Sequence, residues 1–190
     1  MPGRAHNKLF EVAADRYGYL TQREALEAGY SKDALQKMAK RGTLDRVAWG
    51  LYRFAALPRH ELDQYMEATL WPRPAQGVLS HETALDLHDL CDVNPGRLHV
   101  TVPKSYRTNR AVPKLYTLHR RDLVLHEIGS HEGIPIVTPL RAILDGIEGN
   151  VRAGLVEQAI DSARRRGLLR PDELKLVERR AGPRAAPPER

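Results

Sequence analysis

Several features that other protein classes depend on are missing from this chain of 190 residues. It contains one cysteine, Cys91, so an internal disulfide framework is excluded, and we expect this residue to be a small core side chain in a reducing compartment. No apolar run approaches the roughly 20 residues that a membrane-spanning helix needs. The N-terminus has no signal-peptide core, and we therefore expect a cytoplasmic protein without a membrane partner.

The motifs of several enzyme classes are missing too. The sequence has no HExxH motif, no cysteine pair, no glycine-rich phosphate loop and no GxSxG nucleophile elbow. His81 and His88 lie on one helical pattern, and His–Glu pairs follow at 126–127 and 131–132, but none of them has the spacing of metal ligands. We therefore predict that the protein is not an enzyme, with no catalytic residues, no metal site and no cofactor.

One alternative is a DNA-binding protein with a C-terminal metal-dependent nuclease activity. Residues 171–175 (PDELK) resemble the carboxylate–lysine motifs of nucleases superficially. Proline and acidic residues are also favoured in the first turn of a helix, and a nuclease core holds its acids on adjoining strands. The pattern therefore predicts a helix start here, and the nuclease is kept as the alternative function.

What the chain does have is a surplus of positive charge near its N-terminus. The net charge is +6, and residues 1–57 contain ten Lys and Arg against six Asp and Glu. A basic cluster of this kind favours a polyanionic partner such as nucleic acid.

The same region carries the start and stop signals of two short helices. Thr21 followed by Glu24 is a capping box, which satisfies backbone donors at a helix start. Gly29 is placed to end that helix, and Ser31 to cap a second helix that runs to Arg41. Two helices joined by a glycine turn indicate a helix-turn-helix.

The second helix, residues 32–41, has two different faces. Its apolar stripe consists of Ala34, Leu35, Met38 and Ala39. Its outer face consists of Lys32, Asp33, Gln36, Lys37, Lys40 and Arg41. These side chains suit phosphate neutralisation and hydrogen bonding to base edges, so we expect this helix in a DNA groove.

A β-hairpin pattern follows at residues 44–54, with Gly50 at the turn. Arg46 and Arg53 are on its two arms, from which we expect them to reach a phosphate or a minor groove. Trp49 is near the tip; it either acts as a wedge or stacking residue against DNA or packs on the first helix, and we expect packing.

A further helix upstream would close the core of this module. Its apolar residues are Leu9, Val12, Ala13 and Tyr17. The whole pattern predicts a winged helix-turn-helix. Its predicted DNA-binding residues are Ser31, Lys32, Gln36, Lys37, Lys40, Arg41, Arg46 and Arg53. A third interpretation makes the hairpin a protein-docking surface with no DNA involved.

Two blocks of this sequence resemble AbiEi-type antitoxins, the regulator halves of type IV toxin–antitoxin pairs. The first block consists of the run from Tyr19 through Gly29-Tyr30-Ser31, then residues 42–47 (GTLDRV) and residues 50–53 (GLYR). The second block consists of residues 79–85 (LSHETAL) and 98–103 (LHVTVP). One departure is Trp49, which stands where the family often has a basic residue before the hairpin glycine.

The resemblance implies an antitoxin that represses its own transcription. Its partners would be double-stranded DNA, bound at inverted repeats in its own promoter, and a cognate nucleotidyltransferase-like toxin. The toxin would be counteracted directly or indirectly, since type IV antitoxins act without a stable complex in some systems. We expect a monomer in solution or a dimer on DNA.

The predicted fold class is α+β: an N-terminal winged helix-turn-helix, then a mixed α/β C-terminal domain with a small sheet flanked by helices. The predicted domains are 1–57, a winged-helix DNA-binding domain; 58–180, an α+β antitoxin domain; and 181–190, a disordered tail. Within 58–180, periodicity predicts helices at 60–71, 80–90, 138–147, 151–166 and 171–180, and strands at 97–103, 114–119, 123–128 and 134–137. The pattern leaves open which domain the helix at 60–71 belongs to. A basic loop from Lys104 to Arg110 either touches DNA, RNA or an acidic partner, or is a solvated hairpin loop.

Overall fold

The computed structural model describes residues 3–182, which form two compact units. The N-terminal unit comprises residues 3–76 together with Glu132–Ile134, and the C-terminal unit comprises Gly77–His131 and residues 135–182. The domain boundary after residue 57 stays a prediction, and residues 183–190 of the predicted disordered tail lie outside the described residues.

The N-terminal unit alternates short helices with a small antiparallel sheet. Its elements are α1 (Gly3–Ala14), β1 (Tyr19–Thr21), α2 (Gln22–Glu27), α3 (Lys32–Lys40), β2 (Leu44–Ala48), β3 (Leu51–Phe54) and α4 (Asp63–Leu70). The three strands lie in the order β1-β3-β2. The predicted helices and hairpin are confirmed, whereas β1 was not predicted, because three residues are too few for a strand periodicity to be read.

The helix boundaries follow from the capping residues. The Thr21 backbone N–H donates to Glu24 Oε2 at 2.8 Å, and the Glu24 N–H donates to Thr21 Oγ1 at 3.3 Å, so the capping box is confirmed. Gly29 has a φ of +90°, a conformation in which a side chain would be strained, and it directly follows the cap of α2. Ser31 Oγ accepts from the Ala34 N–H at 3.1 Å and so begins α3.

An apolar cluster forms the core beneath the helices and the hairpin of this unit. Its buried members are Leu9, Ala13, Leu20, Ala25, Leu35, Leu44, Tyr52 and Phe54. Leu35 is the buried residue of α3, and Met38 and Ala39 pack against the cluster from the same stripe. Because α3 turns this stripe inward, its polar face is left outside the core.

The hairpin places its two arms in a defined register. Leu44 is opposite Phe54 and Arg46 is opposite Tyr52, with an irregularity between Arg46 and Ala48. At the turn, Trp49 is 66% exposed, so the expectation that it packs on the first helix is wrong.

Arg53 has a structural role in the N-terminal unit. Only 1% of its surface is exposed. Its guanidinium donates to the carbonyl oxygens of Phe54 at 3.2 Å, Leu57 at 3.1 Å and Pro58 at 2.5 Å. Nη2 also lies 3.3 Å from Oδ2 of the buried Asp63, at the start of α4. Arg53 therefore ties the chain that follows the hairpin to α4.

The C-terminal unit has one mixed sheet and four helices among its described residues. Its elements are β4 (Val78–Leu79), α5 (His81–Leu87), β5 (Leu98–Val102), β6 (Tyr116–Arg120), a 3-10 helix (Leu125–Glu127), β7 (Ile128–His131), β8 (Ile134–Val137), α6 (Pro139–Glu148), α7 (Ala153–Arg165) and α8 (Pro171–Ala181). The sheet order is β6-β5-β4-β8-β7. An α+β class with helices and two sheets is therefore confirmed.

Two expectations for this unit need correction. Strand β5 pairs with β6 in parallel, so the loop from Lys104 to Arg110 belongs to a crossover and not to a hairpin. The strand predicted at 123–128 is replaced by a 3-10 helix, and β7 begins only at Ile128. Predicted helix starts at Pro139 and Pro171 are confirmed. No helix among residues 3–182 has the length and apolar character to cross a membrane.

We predict that replacing Arg53 with methionine lowers the free energy of unfolding of the N-terminal unit by about 3–5 kcal/mol. The loss follows because Asp63 and three carbonyl oxygens would lose the cation that they share. Both tryptophans, Trp49 and Trp71, lie in this unit, so urea unfolding followed by tryptophan fluorescence reports on this unit specifically.

The matched control is Arg46→Met on the neighbouring strand, where the side chain is exposed. Its effect is expected to stay within about 0.5 kcal/mol. Equal stability losses for the two variants would contradict the role assigned to Arg53.

Candidate nucleic-acid interface

The outer face of α3 carries most of the predicted DNA-binding residues. Those exposed on or next to this helix are Ser31, Lys32, Gln36, Lys37, Lys40 and Arg41. Arg46, on β2, is exposed too. The structure therefore leaves seven of the eight predicted side chains open to a partner, and their contact with DNA stays a prediction.

The cations of this face are not neutralised by neighbouring acids. Within residues 3–182, no carboxylate lies within ion-pair distance of the cations Lys32, Lys37, Lys40, Arg41 and Arg46. The nearby Asp45 is 3.5 Å from the guanidinium of Arg59. Cations without partners are available to neutralise phosphates, which is the main source of affinity for DNA.

The positive charge is concentrated toward the C-terminal end of α3. Asp33 is in the first turn, where an anion suits the helix dipole, and Lys37 and Lys40 are in the last turn. Arg41 caps the helix directly after them. A phosphate backbone would therefore meet this end of the helix more favourably than the end beside Asp33.

Helix and hairpin together form one shallow concavity. Its lining consists of Gln36, Ala39, Lys40, Arg46 and Tyr52. The fold thus brings Arg46, which is distant in sequence from α3, next to the amide of Gln36 and the ammonium group of Lys40. An amide that can pair with a base edge, flanked by two cations, is a suitable arrangement for reading a groove.

Arg53 is the one predicted DNA-binding residue that the structure contradicts. Its guanidinium is buried and bound to backbone carbonyls and Asp63, so it cannot reach a phosphate. The reason lies in strand pairing: β3 is the middle strand between β1 and β2, while β2 lies at an edge of the sheet. Two arginines in one hairpin therefore have opposite environments, which strand propensity does not distinguish.

Trp49 extends the candidate interface at the hairpin tip. Its indole is exposed, while its backbone carbonyl accepts a hydrogen bond from Arg73 Nη2. A bond to the backbone holds the turn without covering the ring, so the indole is available for stacking or insertion.

The basic loop of the C-terminal unit is less suited to nucleic acid than its composition indicates. Tyr106 is 5% exposed, so its ring is not available to stack on a base. Arg107 Nη1 donates to the carbonyl oxygens of Lys104 at 2.6 Å and Tyr106 at 2.8 Å. These contacts fold the loop back on itself.

Acidic residues at 172 and 173 lie at a helix start, as the pattern indicated. Glu173 accepts a hydrogen bond from the Arg170 N–H at 2.8 Å, and its carboxylate lies 3.1 Å from Arg170 Nη2. Asp172 lies 3.6 Å from the same guanidinium. Glu173 therefore caps α8, Asp172 lies in the first turn of this helix, and neither acid is on a strand.

Three of the histidines form a cluster that sequence reasoning missed. His81, His99 and His119 converge, although they are distant in sequence. Burial lowers the pKa of His81 to about 3 and that of His119 to about 4, and it also lowers the pKa of His99. His88, by contrast, is satisfied by the Val137 carbonyl oxygen at 2.8 Å. The available signal was a histidine within each of two predicted strands, but their pairing could not be read.

Comparisons with known proteins give structural matches and a family match. The chain is similar to the crystal structure of the RV2827C protein from Mycobacterium tuberculosis, with a TM-score of 0.57 and 16% identity. The match covers 93% of this chain and 71% of that chain, and at this identity it concerns the fold. No curated protein matches at a significant level.

The family match falls on the unit that carries the candidate interface. It spans residues 7–55, which include α3 and the hairpin, and the family is described as a transcriptional regulator, AbiEi antitoxin. The resemblance inferred from the sequence is thus confirmed for this segment: residues 7–55 match the model of the AbiEi family of antitoxins and transcriptional regulators.

Proposed function

We propose that this chain is the antitoxin of a type IV, AbiE-like toxin–antitoxin system and a sequence-specific repressor of its own promoter in the cytoplasm. The proposal rests on one observation: the family match and the exposed cations lie in the same segment of the chain. The family match at 7–55 spans α3 and the hairpin. There, the cations Lys32, Lys37, Lys40, Arg41 and Arg46 lie beyond ion-pair distance of every described carboxylate.

In this proposal α1 to β3 form a winged helix-turn-helix. The α2–turn–α3 segment is the helix-turn-helix, and the β2–β3 hairpin is the wing. Helix α3 enters the major groove, which is wide enough for a helix, and the wing lies along the flanking backbone. This docking uses the exposed face of α3 and requires no change in the packing of Leu35.

The side chains divide between positioning and base reading. Gln36 is the candidate for base contact, because its amide can pair with both groups that adenine offers in the major groove. Lys37, Lys40, Arg41 and Arg46 are assigned to phosphates, which fix the register without reading sequence. Ser31 and Lys32 lie at the N-terminal end of α3, beside the negative charge of Asp33. We therefore assign them a smaller contribution to DNA affinity.

Inverted repeats in the promoter require two copies of the protein. Two monomers related by the two-fold axis of the operator would place their α3 helices in successive major grooves, about one helical turn or a multiple apart. We propose that the two copies meet on DNA.

The antitoxic activity is assigned to the C-terminal unit. The partner would be a nucleotidyltransferase-like toxin encoded alongside, counteracted directly or indirectly. In this proposal the N-terminal unit binds the promoter and the C-terminal unit neutralises the toxin.

We predict that Lys37→Ala combined with Arg41→Ala weakens binding to the protein's own promoter roughly 10-fold or more. Each lost phosphate contact also lowers the slope of log affinity against log salt by about 1. Gel retardation or fluorescence anisotropy at several salt concentrations, using the promoter and a scrambled duplex, measures both effects.

The matched control is Arg179→Ala combined with Arg180→Ala, which removes two exposed cations from α8 in the C-terminal unit. It changes the net charge equally and should leave promoter affinity nearly unchanged. If both pairs weaken binding equally, the effect is one of total charge and α3 is not the recognition helix. Mg²⁺-dependent cutting of the duplex would instead favour a nuclease.

We further predict that the Lys37→Ala, Arg41→Ala variant still neutralises the toxin. Growth is measured in cells that express the neighbouring toxin gene from an independent promoter, together with either form of the antitoxin. A reporter fused to the native promoter measures repression in parallel. The variant should lose repression and keep growth rescue, whereas loss of both would contradict the division between the two units.

A further inference from the structure

Three histidine side chains of the C-terminal unit converge, and none of them belongs to the proposed DNA interface. His81 begins α5, His99 lies in β5 and His119 lies in β6. One ring nitrogen from each residue can be chosen so that all three atoms lie within 4.8 Å of one another. Each of the three residues remains partly exposed, so an ion could reach them from solvent.

The parallel pairing of β5 and β6 creates this cluster. His99 is opposite Thr117, and Thr101 is opposite His119, so both histidines project from the same face of the sheet. Strand β4 lies on the other side of β5, with Leu79 opposite Val100, and α5 begins two residues later with His81. The start of α5 thereby places His81 beside the face of the sheet that carries His99 and His119.

The distance between His99 and His119 suits a shared metal ion. His119 Nε2 is 3.1 Å from His99 Nδ1. Two nitrogens that bind one tetrahedral zinc ion at about 2.0–2.1 Å are roughly 3.3 Å apart. The two nitrogens would therefore need to move apart only slightly for both to bind one ion.

His81 supplies the third nitrogen. Its ring stacks on that of His119, with centroids 3.5 Å apart and an angle of 15° between the planes. Its Nδ1 faces Ser80 Oγ at 3.0 Å and Asp145 Oδ2 at 3.7 Å, which leaves Nε2 for an ion. One ring nitrogen of His81 already lies within 4.8 Å of a ring nitrogen of each of the other two histidines.

An unsatisfied carboxylate oxygen lies behind His81. Asp145 is 1% exposed, and its Oδ1 accepts a hydrogen bond from Arg141 Nε at 2.9 Å. Its Oδ2 is buried and accepts no hydrogen bond from any residue in the described part of the chain. Histidines that bind metals usually direct their second nitrogen at a carboxylate or carbonyl oxygen, and Asp145 Oδ2 is in that position.

We propose that His81, His99 and His119 bind one divalent transition-metal ion, with zinc as the preferred ion. Imidazole nitrogens suit zinc, whereas magnesium and calcium require mostly oxygen ligands. Three protein ligands leave a fourth position for water or a small anionic ligand, the arrangement of an open zinc site.

The test uses the full chain without a histidine tag, stripped with a chelator and dialysed. Cobalt(II) is titrated in as a spectroscopic substitute for zinc, and its visible d–d absorption reports four-coordinate binding. We expect one cobalt ion per chain, displacement by zinc but not by magnesium, and no sulfur-to-metal charge-transfer band. The titration of the wild-type protein is a test by itself, because the absence of saturable cobalt or zinc binding would overturn the proposal.

Variants then locate the site. His99→Gln combined with His119→Gln should weaken binding by more than about 100-fold, since losses outside the ligand set alone cost roughly 10- to 100-fold. The matched control is His126→Gln, an exposed histidine of the same unit, which should bind as the wild type does. Undiminished binding in the double variant, or equal loss in the control, would overturn the assignment.

Folding is monitored separately by far-ultraviolet circular dichroism. His81→Asn provides a second variant at the helix start if the double variant does not fold. Zinc should raise the melting temperature of the wild-type C-terminal unit by mass action and leave that of His81→Asn unchanged. A zinc-induced rise of the same size in both proteins would also overturn the proposal.

Discussion

The burial of one stripe of α3 is the interaction on which the candidate DNA interface depends. Leu35 is fully buried in the cluster that contains Leu9, Leu20 and Leu44. Since the helix is amphipathic, anchoring this stripe turns the lysines and Gln36 outward. The caps at Ser31 and Arg41 fix where the helix begins and ends. They thereby place Lys37, Lys40 and Arg41 together at its C-terminal end. Packing in the core therefore decides which side chains are offered to a partner.

In the hairpin too, packing decides which of two arginines is exposed. Arg46 is on an edge strand and stays exposed, whereas Arg53 is on the middle strand and is buried against backbone carbonyls and Asp63. One arginine is available for a phosphate, while the other stabilises the scaffold that presents it. A buried guanidinium is tolerated here because three carbonyl oxygens and a carboxylate surround it.

In the C-terminal unit, one polar residue of β5, Thr101, is buried. Thr101 is 2% exposed, and its hydroxyl donates to Ser80 Oγ at 2.8 Å. The start of α5 thus closes over a polar face of the sheet and gathers His81 beside His99 and His119. The proposed metal ligands therefore lie in the C-terminal unit and include none of the residues assigned to DNA binding.

Local signals in the sequence determined the helices, their caps, the hairpin and the family resemblance, because these depend on residues a few positions apart. The capping box at Thr21 and the helix start at Pro139 were readable for that reason. Only the tertiary structure decided what depends on strand order: the strand β1, the burial of Arg53, the parallel pairing of β5 with β6, and the meeting of three distant histidines. Such contacts join residues far apart in the chain, and periodicity carries no information about which strands become neighbours.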